Sequence, residues 1–280
     1  MILKKIFAIL GILVLGFSIT SCSDSVVNSG VIEIPEAASD LSVCIPKIGK
    51  ADNIILKTAK HSVMIDCGEE DDSEEILSKL LSQRIKALDY LIITHFDKDH
   101  IGGAAEILEN IKVKNIIFPN YIGSTNEYKA MQQAINDSDC ITLTENEIFI
   151  LDDTVFKLYP AEKKQYTEGD NDFSIVTAVY HGSDRMLLAG DSMTERLSEL
   201  SGIGTFDLLK VPHHGIYCDG SVEFIQQISP AYAVITDSKK NPADSEITDA
   251  LDDIDAVIFS TKDGDVNIIS SGSGISIQHQ

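Results

Sequence analysis

Tryptophan is absent from this 280-residue chain, and aromatic residues make up only 6% of it. That scarcity counts against a surface that stacks sugar rings or unpaired bases. Glycine and proline, at 18 and 7 residues, are not in excess, which argues against a fibrous or low-complexity chain. The apolar run near the start, residues 6–19, falls short of the roughly 20 residues that a membrane-spanning helix needs. No two cysteines stand in CxxC spacing, which counts against a structural zinc knuckle. Positive charge is also short: 22 Lys and Arg face 44 Asp and Glu, a formal net charge of −22. Such a field solubilises the chain and repels polyanions. Nucleic acid is therefore a disfavoured partner unless bound divalent cations reverse the charge locally. What is present is a 44% hydrophobic content, enough for a substantial core in one large domain or two small ones.

The N-terminus reads as a targeting segment rather than as part of the fold. Lys4 and Lys5 precede the apolar run, which ends in Ile19-Thr20-Ser21-Cys22. This resembles a bacterial lipobox, an aliphatic residue and two small ones before a cysteine. The resemblance implies that residues 1–21 are a lipoprotein signal peptide and that Cys22 carries the lipid. Residues 22–40, rich in Ser, Asn, Asp, Glu, Pro and Gly, then form a flexible tether, and residues 41–280 form the domain. The expected location is outside the cytoplasm, with the membrane touched through the lipid alone. Cys44, Cys67, Cys140 and Cys218 remain; four cysteines allow three pairings, and the sequence does not choose among them.

From residue 41 onward, strand and helix patterns alternate without internal repeats. Strands are expected at 41–46, 52–58, 62–66, 88–94, 114–119, 147–151, 155–159, 174–180, 186–190, 207–211, 231–236 and 256–260. A terminal hairpin follows at 266–270 and 275–278. Helical spacing marks 72–81, 104–110, 194–200, 221–228 and 247–251. Mixed strands with helices outside predict a layered α/β domain.

The chemistry concentrates in His95-Phe96-Asp97-Lys98-Asp99-His100-Ile101-Gly102-Gly103, directly after the apolar run 88–94. Imidazole nitrogen and carboxylate oxygen bind divalent zinc at about 2.0–2.2 Å, so ligands must converge on a turn, as they can at a strand end. Three further strand ends offer ligands of the same kind. Asp66 follows Met64-Ile65, Asp191 follows Leu187-Leu188-Ala189-Gly190, and His213-His214-Gly215 follow Leu209-Lys210-Val211-Pro212. An Asp after a strand is ordinary turn chemistry when alone. Together with the loop at residues 95–100, these strand ends form the edge of a sheet assembling a two-metal site.

The loop resembles the HxHxDH signature of metallo-β-lactamase-fold hydrolases, with Asp97 in place of the middle His. The HHG element and the landmarks Ala51-Asp52-Asn53, Asp66-Cys67-Gly68, Asn171-Asp172-Phe173-Ser174 and Gly190-Asp191 are similar to the branch related to the extracellular domain of the ComEC competence protein. The resemblance implies a four-layer αββα sandwich with its site along one edge. It also implies two divalent metal ions, Zn²⁺ foremost and Mn²⁺ as the alternative. His95 and Asp97 would bind one ion and Asp99 and His100 the other, with Asp191 bridging. His214 is the favoured last imidazole, His213 a substrate or leaving-group contact, and Asp66 a brace behind the loop. Lys210 would either stabilise developing charge or face solvent. Three departures are visible. The only His between residues 100 and 213 is His181, expected at a hairpin tip remote from the site, so Asn171 or Asp172 would approach the metals instead. Ile216 stands where the branch has Ser, and residues 241–244 lack a His. Both weigh against nuclease activity more than against metal binding. The expected activity is hydrolysis of a phosphoester or phosphodiester, small-molecule or polymeric. The alternatives are hydrolysis of a cyclic amide, lactone or thioester, and a non-catalytic metal-binding lipoprotein module.

Overall fold

The computed structural model describes residues 33–280, so Cys22, the signal peptide and most of the tether lie outside the described residues. The chain first lays down the antiparallel strands β1 (Leu41–Ile45), β2 (Ile54–Lys57) and β3 (Ser62–Ile65). It continues through α1 (Ser73–Ser82) into β4 (Ala87–Ile92). After α2 (Lys98–Ile101) and α3 (Ala104–Asn110) come β5 (Lys112–Phe118), α4 (Asn126–Ala134) and β6 (Asp139–Thr142). Strands β3 to β6 are parallel neighbours.

The second sheet opens with antiparallel β7 (Glu147–Leu151), β8 (Thr154–Tyr159), β9 (Val176–His181) and β10 (Asp184–Leu188). It becomes parallel through β11 (Leu208–Lys210), β12 (Tyr232–Ile235) and β13 (Val257–Ser260), with α5 (Thr194–Glu199), α6 (Ser221–Ile228) and α7 (Ser245–Asp252) between them. The terminal hairpin, β14 (Val266–Ser270) and β15 (Ile275–His279), returns to the first sheet and pairs with β1. The orders are β15-β14-β1-β2-β3-β4-β5-β6 and β13-β12-β11-β10-β9-β8-β7.

Three apolar clusters hold the layers. Ile92, Ile117, Phe156, Val179, Met186, Leu188 and Val234 meet between the sheets. Ile76, Leu80, Leu88, Leu91, Ile107 and Met131 lie between the first sheet and its helices, and Leu187, Leu209, Phe224, Ile225 and Leu251 between the second and its helices. Along β10, Met186 and Leu188 face one cluster and Leu187 the other, so a strand buried on both faces reads as an unbroken apolar run. This is the four-layer αββα arrangement. The ends of β3, β4, β10 and β11 meet along one edge, and that is where the metal-ligand candidates lie.

Several expectations need correction. Helix α4 and strand β6 were not expected: α4 buries only Met131 and β6 is exposed throughout, so neither carries an apolar period. Thr125, whose side chain accepts from the Tyr128 N–H at 3.1 Å, was the available start signal. The tether is fixed at its inner end, where Ser39 N–H donates to Asp153 Oδ2 at 3.1 Å. His181 lies at the expected hairpin tip, paired with Asp184 across the Gly182–Ser183 turn and remote from the ligand candidates, but it is not a free turn residue. It closes β9, is buried, and its Nδ1 lies 2.7 Å from Ser270 Oγ. All four cysteines in the described residues are unpaired, and only Cys140 is exposed.

Phe156 is fully buried between the sheets and stacks on Phe149. Phe156→Ala should cost about 3–5 kcal/mol, seen as a lower urea midpoint at unchanged slope.

Candidate metal centre

Asp66 ends β3 with a left-handed backbone (φ 58°) that turns its carboxylate under the next strand end. There it accepts Thr94 N–H at 2.8 Å, Thr94 Oγ1–H at 2.7 Å and the His100 Nδ1 proton at 2.8 Å. Burial pushes the Asp66 carboxyl up, against the opposing pull of His100 and Thr94. Receiving the Nδ1 proton fixes the tautomer of His100 and leaves its Nε2 facing Asp191 Oδ2 at 3.3 Å. His214 is set in the same way. Its Nδ1 faces the Thr236 carbonyl at 3.0 Å, and its Nε2 lies 3.1 Å from Asp191 Oδ2 and 3.6 Å from Asp99 Oδ2. His95 rests its Nδ1 on Thr94 Oγ1 at 3.1 Å.

The Nε2 atoms of His95, His100 and His214 are buried and make no hydrogen bond, and neither does Asp191 Oδ1. Orphaned buried acceptors are costly, and imidazole Nε2 beside carboxylate oxygen is the donor set of a divalent cation. His95, His100 and Asp191 bring their ligand atoms within 4.8 Å of one another, and so do Asp99, His100 and His214. These residues fit divalent cations: His100 is common to both groups, and Asp191 Oδ2 lies 3.3 Å from His100 Nε2 and 3.1 Å from His214 Nε2. Asp97 is more peripheral: its side chain is 43% exposed and its Oδ2 stands 3.8 Å from His95 Nε2, at the mouth. Its carbonyl accepts His100 N–H and Ile101 N–H at 3.0 Å, starting α2.

The electrostatics describe a pocket short of positive charge. Burial alone would raise the Asp191 carboxyl, but His214 and His100 hold it well below the carboxylate range. Asp99 is also held low, its burial outweighed by His214, whose Nε2 lies 3.6 Å from its Oδ2, and by the charge of His100. Burial opposes charge on His100, yet Asp191 and Asp66 lift its pKa well above the ordinary imidazole value. His95 goes the other way, held well below it by burial and by the charge of His100.

Lys210 does not face solvent. Its ammonium is fully buried behind the site, ion-paired with Asp52 and 3.6 Å from Asp191 Oδ1. It compensates charge there and is shut off from the open side of the cleft. Asp52, a landmark of the resemblance to which the sequence assigned no role, is part of the site. Its carboxylate also accepts Thr236 Oγ1–H at 2.6 Å and lies 3.4 Å from His214 Nδ1. The available signal was a carboxylate abutting an apolar strand.

His213 and His214 both adopt left-handed backbone, φ 49° and 54°, in the short turn Pro212–Gly215. Non-glycine residues rarely sit there. His214 is buried among the ligand candidates, while His213 is only partly buried and stands 3.2 Å from Asn171 Nδ2. Asp172 does not approach the ligands. Its Oδ1 accepts Met193 N–H at 2.7 Å and Arg196 N–H at 3.3 Å, holding the start of α5. Gly103 is required by close approach, since a Cβ there would lie 2.4 Å from the Cys67 carbonyl oxygen.

A family model described as the metallo-beta-lactamase superfamily matches residues 50–235. ComE operon protein 3 of Bacillus subtilis is 32% identical over 174 residues, covering 60% of this chain and 22% of that one. Competence protein ComA of Neisseria gonorrhoeae is 26% identical over 220 residues, 74% of this chain and 29% of that one. The chain thus spans less than a third of the length of these relatives. Among solved structures, the metallo-beta-lactamase fold protein YhfI of Bacillus subtilis superposes with a TM-score of 0.54 at 13% identity, covering 85% of this chain and all of that one.

Asp66→Asn keeps the shape but removes the charge that orients His100. It should weaken metal binding about 10- to 100-fold, measured by competition with a chelating dye.

Proposed function

The chain belongs to the metallo-β-lactamase superfamily, a family of metal-dependent hydrolases, and on that premise we propose that it hydrolyses a phosphoester or phosphodiester outside the cytoplasm. The observation that carries the hydrolase reading is the convergence of three unpaired imidazole Nε2 atoms with Asp99 and Asp191 in one cleft. A pair of divalent cations in such a site supplies Lewis acidity and lowers the pKa of water towards neutrality. Zn²⁺ suits this donor set, and the carboxylate-rich side at Asp97 and Asp99 accommodates the harder Mn²⁺.

The residues of the chain divide the remaining work. His95, Asp97, Asp99, His100, Asp191 and His214 would hold the ions, and Thr94, Asp66, Thr236 and Asp52 hold the ligand side chains. His213 is the substrate contact. Burial depresses its pKa below the ordinary imidazole value, so it is neutral near pH 7. Asn171 Nδ2 donates to His213 Nε2, which leaves the proton on Nδ1, a buried atom with no partner of its own.

The phosphoester class is favoured over a cyclic amide, lactone or thioester by what stands in the interval before His213. Its one histidine, His181, pairs with Asp184 at the start of β10, the end of that strand opposite Asp191. No imidazole from that interval reaches the cleft, and the site keeps a harder, oxygen-rich ligand set. A lipid on Cys22 would keep this activity at a membrane surface.

Two metal ions per chain by elemental analysis, with turnover of bis-p-nitrophenyl phosphate, are expected for the full chain supplied with Zn²⁺ or Mn²⁺. Chelation should abolish that turnover, and Asp99→Ala should lower it at least about 100-fold. Hydrolysis of a β-lactam or lactone without phosphodiester turnover would replace the substrate class. Less than one ion per chain and no turnover would leave a binding module.

A further inference from the structure

Lys50 stands at the mouth of the metal cleft with no established partner in the chemistry described so far. Its Nζ lies 3.8 Å from Asp99 Oδ2, and its side chain is 27% exposed. Among the described residues it makes no hydrogen bond. Its charge also acts on His213, so the candidate substrate contact lies in its field. Lys98, on the metal loop itself, is turned away to Glu69 at 3.9 Å and is 69% exposed. Lys210 is enclosed with Asp52.

The backbone beneath Lys50 is held firmly. Gly49 takes φ 81° to make the turn. Two residues on, Asp52 N–H donates to the carbonyl of Asp99 at 3.1 Å, and the Asp52 carbonyl accepts Gly68 N–H at 2.9 Å. The root of Lys50 is thereby fastened to the ligand loop, which leaves only the side-chain rotamers to be ordered when an anion binds.

Formal charge says what the Lys50 ammonium is offered to. Asp52, Asp66, Asp97, Asp99 and Asp191 would be balanced by Lys210 together with two divalent cations, with Asp170 adding a further negative charge near Asp97. Lys50 then supplies positive charge at the mouth, beside Asp99, for an anion entering a protein of net charge −22. A neutral acyl substrate has no use for that charge. A phosphoryl group, with charged non-bridging oxygens, does.

We propose that Lys50 is the anion anchor of this site, its ammonium binding a non-bridging oxygen of the substrate's phosphoryl group beside Asp99. The assignment rests on the phosphoester reading above and adds to it a residue from outside the ligand loops.

The test uses the full chain loaded with Zn²⁺, with inorganic phosphate as the binding probe and p-nitrophenyl phosphate and p-nitrophenyl acetate as paired substrates. Lys50→Ala should weaken phosphate binding by calorimetry and raise the KM for the phosphate ester, each about 10- to 100-fold. Metal content, kcat and any acetate hydrolysis should hold, and Lys50→Arg should recover most of the loss. Unchanged phosphate affinity in Lys50→Ala overturns the proposal. Loss of metal from that variant also overturns it, because Lys50 would then merely brace Asp99. Failure of the unaltered protein to bind phosphate does the same. Phosphate bound through Lys50 without turnover of any phosphate ester would sink the hydrolase reading and leave the anchor standing.

Discussion

The site depends on one buried ion pair. Asp52 comes from the loop before β2 in the first sheet, and Lys210 ends β11 in the second. Their contact joins the two sheets beneath the metal cleft. The backbone of Asp52 is hydrogen bonded to Asp99 and Gly68, its carboxylate to Thr236, and the Lys210 ammonium lies against Asp191. Ligands from both sheets therefore take their relative position from this pair. Taking two charges out of water is expensive, and removing one partner of such a pair typically costs about 3–5 kcal/mol because the other is left buried and unpaired. The pair is better understood as a positional device than as a source of stability.

Around that pair the chain spends its polar groups on orientation. Each imidazole aimed into the cleft has its other nitrogen set against a neighbour: His100 against Asp66, His95 against Thr94, His214 against Thr236. The carboxylates between them are held ionised by those rings. The result is a rigid cavity with an excess of acceptors, made to take up cations before any substrate arrives. His213, a single residue from a ligand, escapes this arrangement because two consecutive left-handed residues let neighbouring side chains diverge.

The ligand loop was legible because four metal-binding side chains within six residues, between an apolar strand and a glycine pair, have few other uses. The layers were legible because buried strands are continuous apolar runs and the longer outer helices keep a helical period. Asp52 was given no role beyond being a landmark, since a carboxylate before a strand is also common turn chemistry and only the folded chain brings it to Lys210. Lys210 itself was ambiguous, because a lysine at a strand end is usually solvated. Helix α4 and β6 were missed for want of apolar residues to bury, and the inner tether because its bond to Asp153 spans more than a hundred residues. Long-range polar contacts leave no local trace in the sequence.

The return of β14 to pair with β1 has a kinetic consequence. Leu41 lies opposite Ser270, so the first sheet places its earliest strand beside one made near the end of the chain. The second sheet, complete in itself, is threaded between these two events. A topology with such high contact order pays loop-closure entropy before its contacts repay it, and it folds slowly. His95 and His100 come from one sheet and Asp191 and His214 from the other, so full cation affinity belongs to the assembled sandwich alone. By linkage, an ion bound there would stabilise the assembled sandwich, and its removal would lower the free energy that keeps the two sheets together.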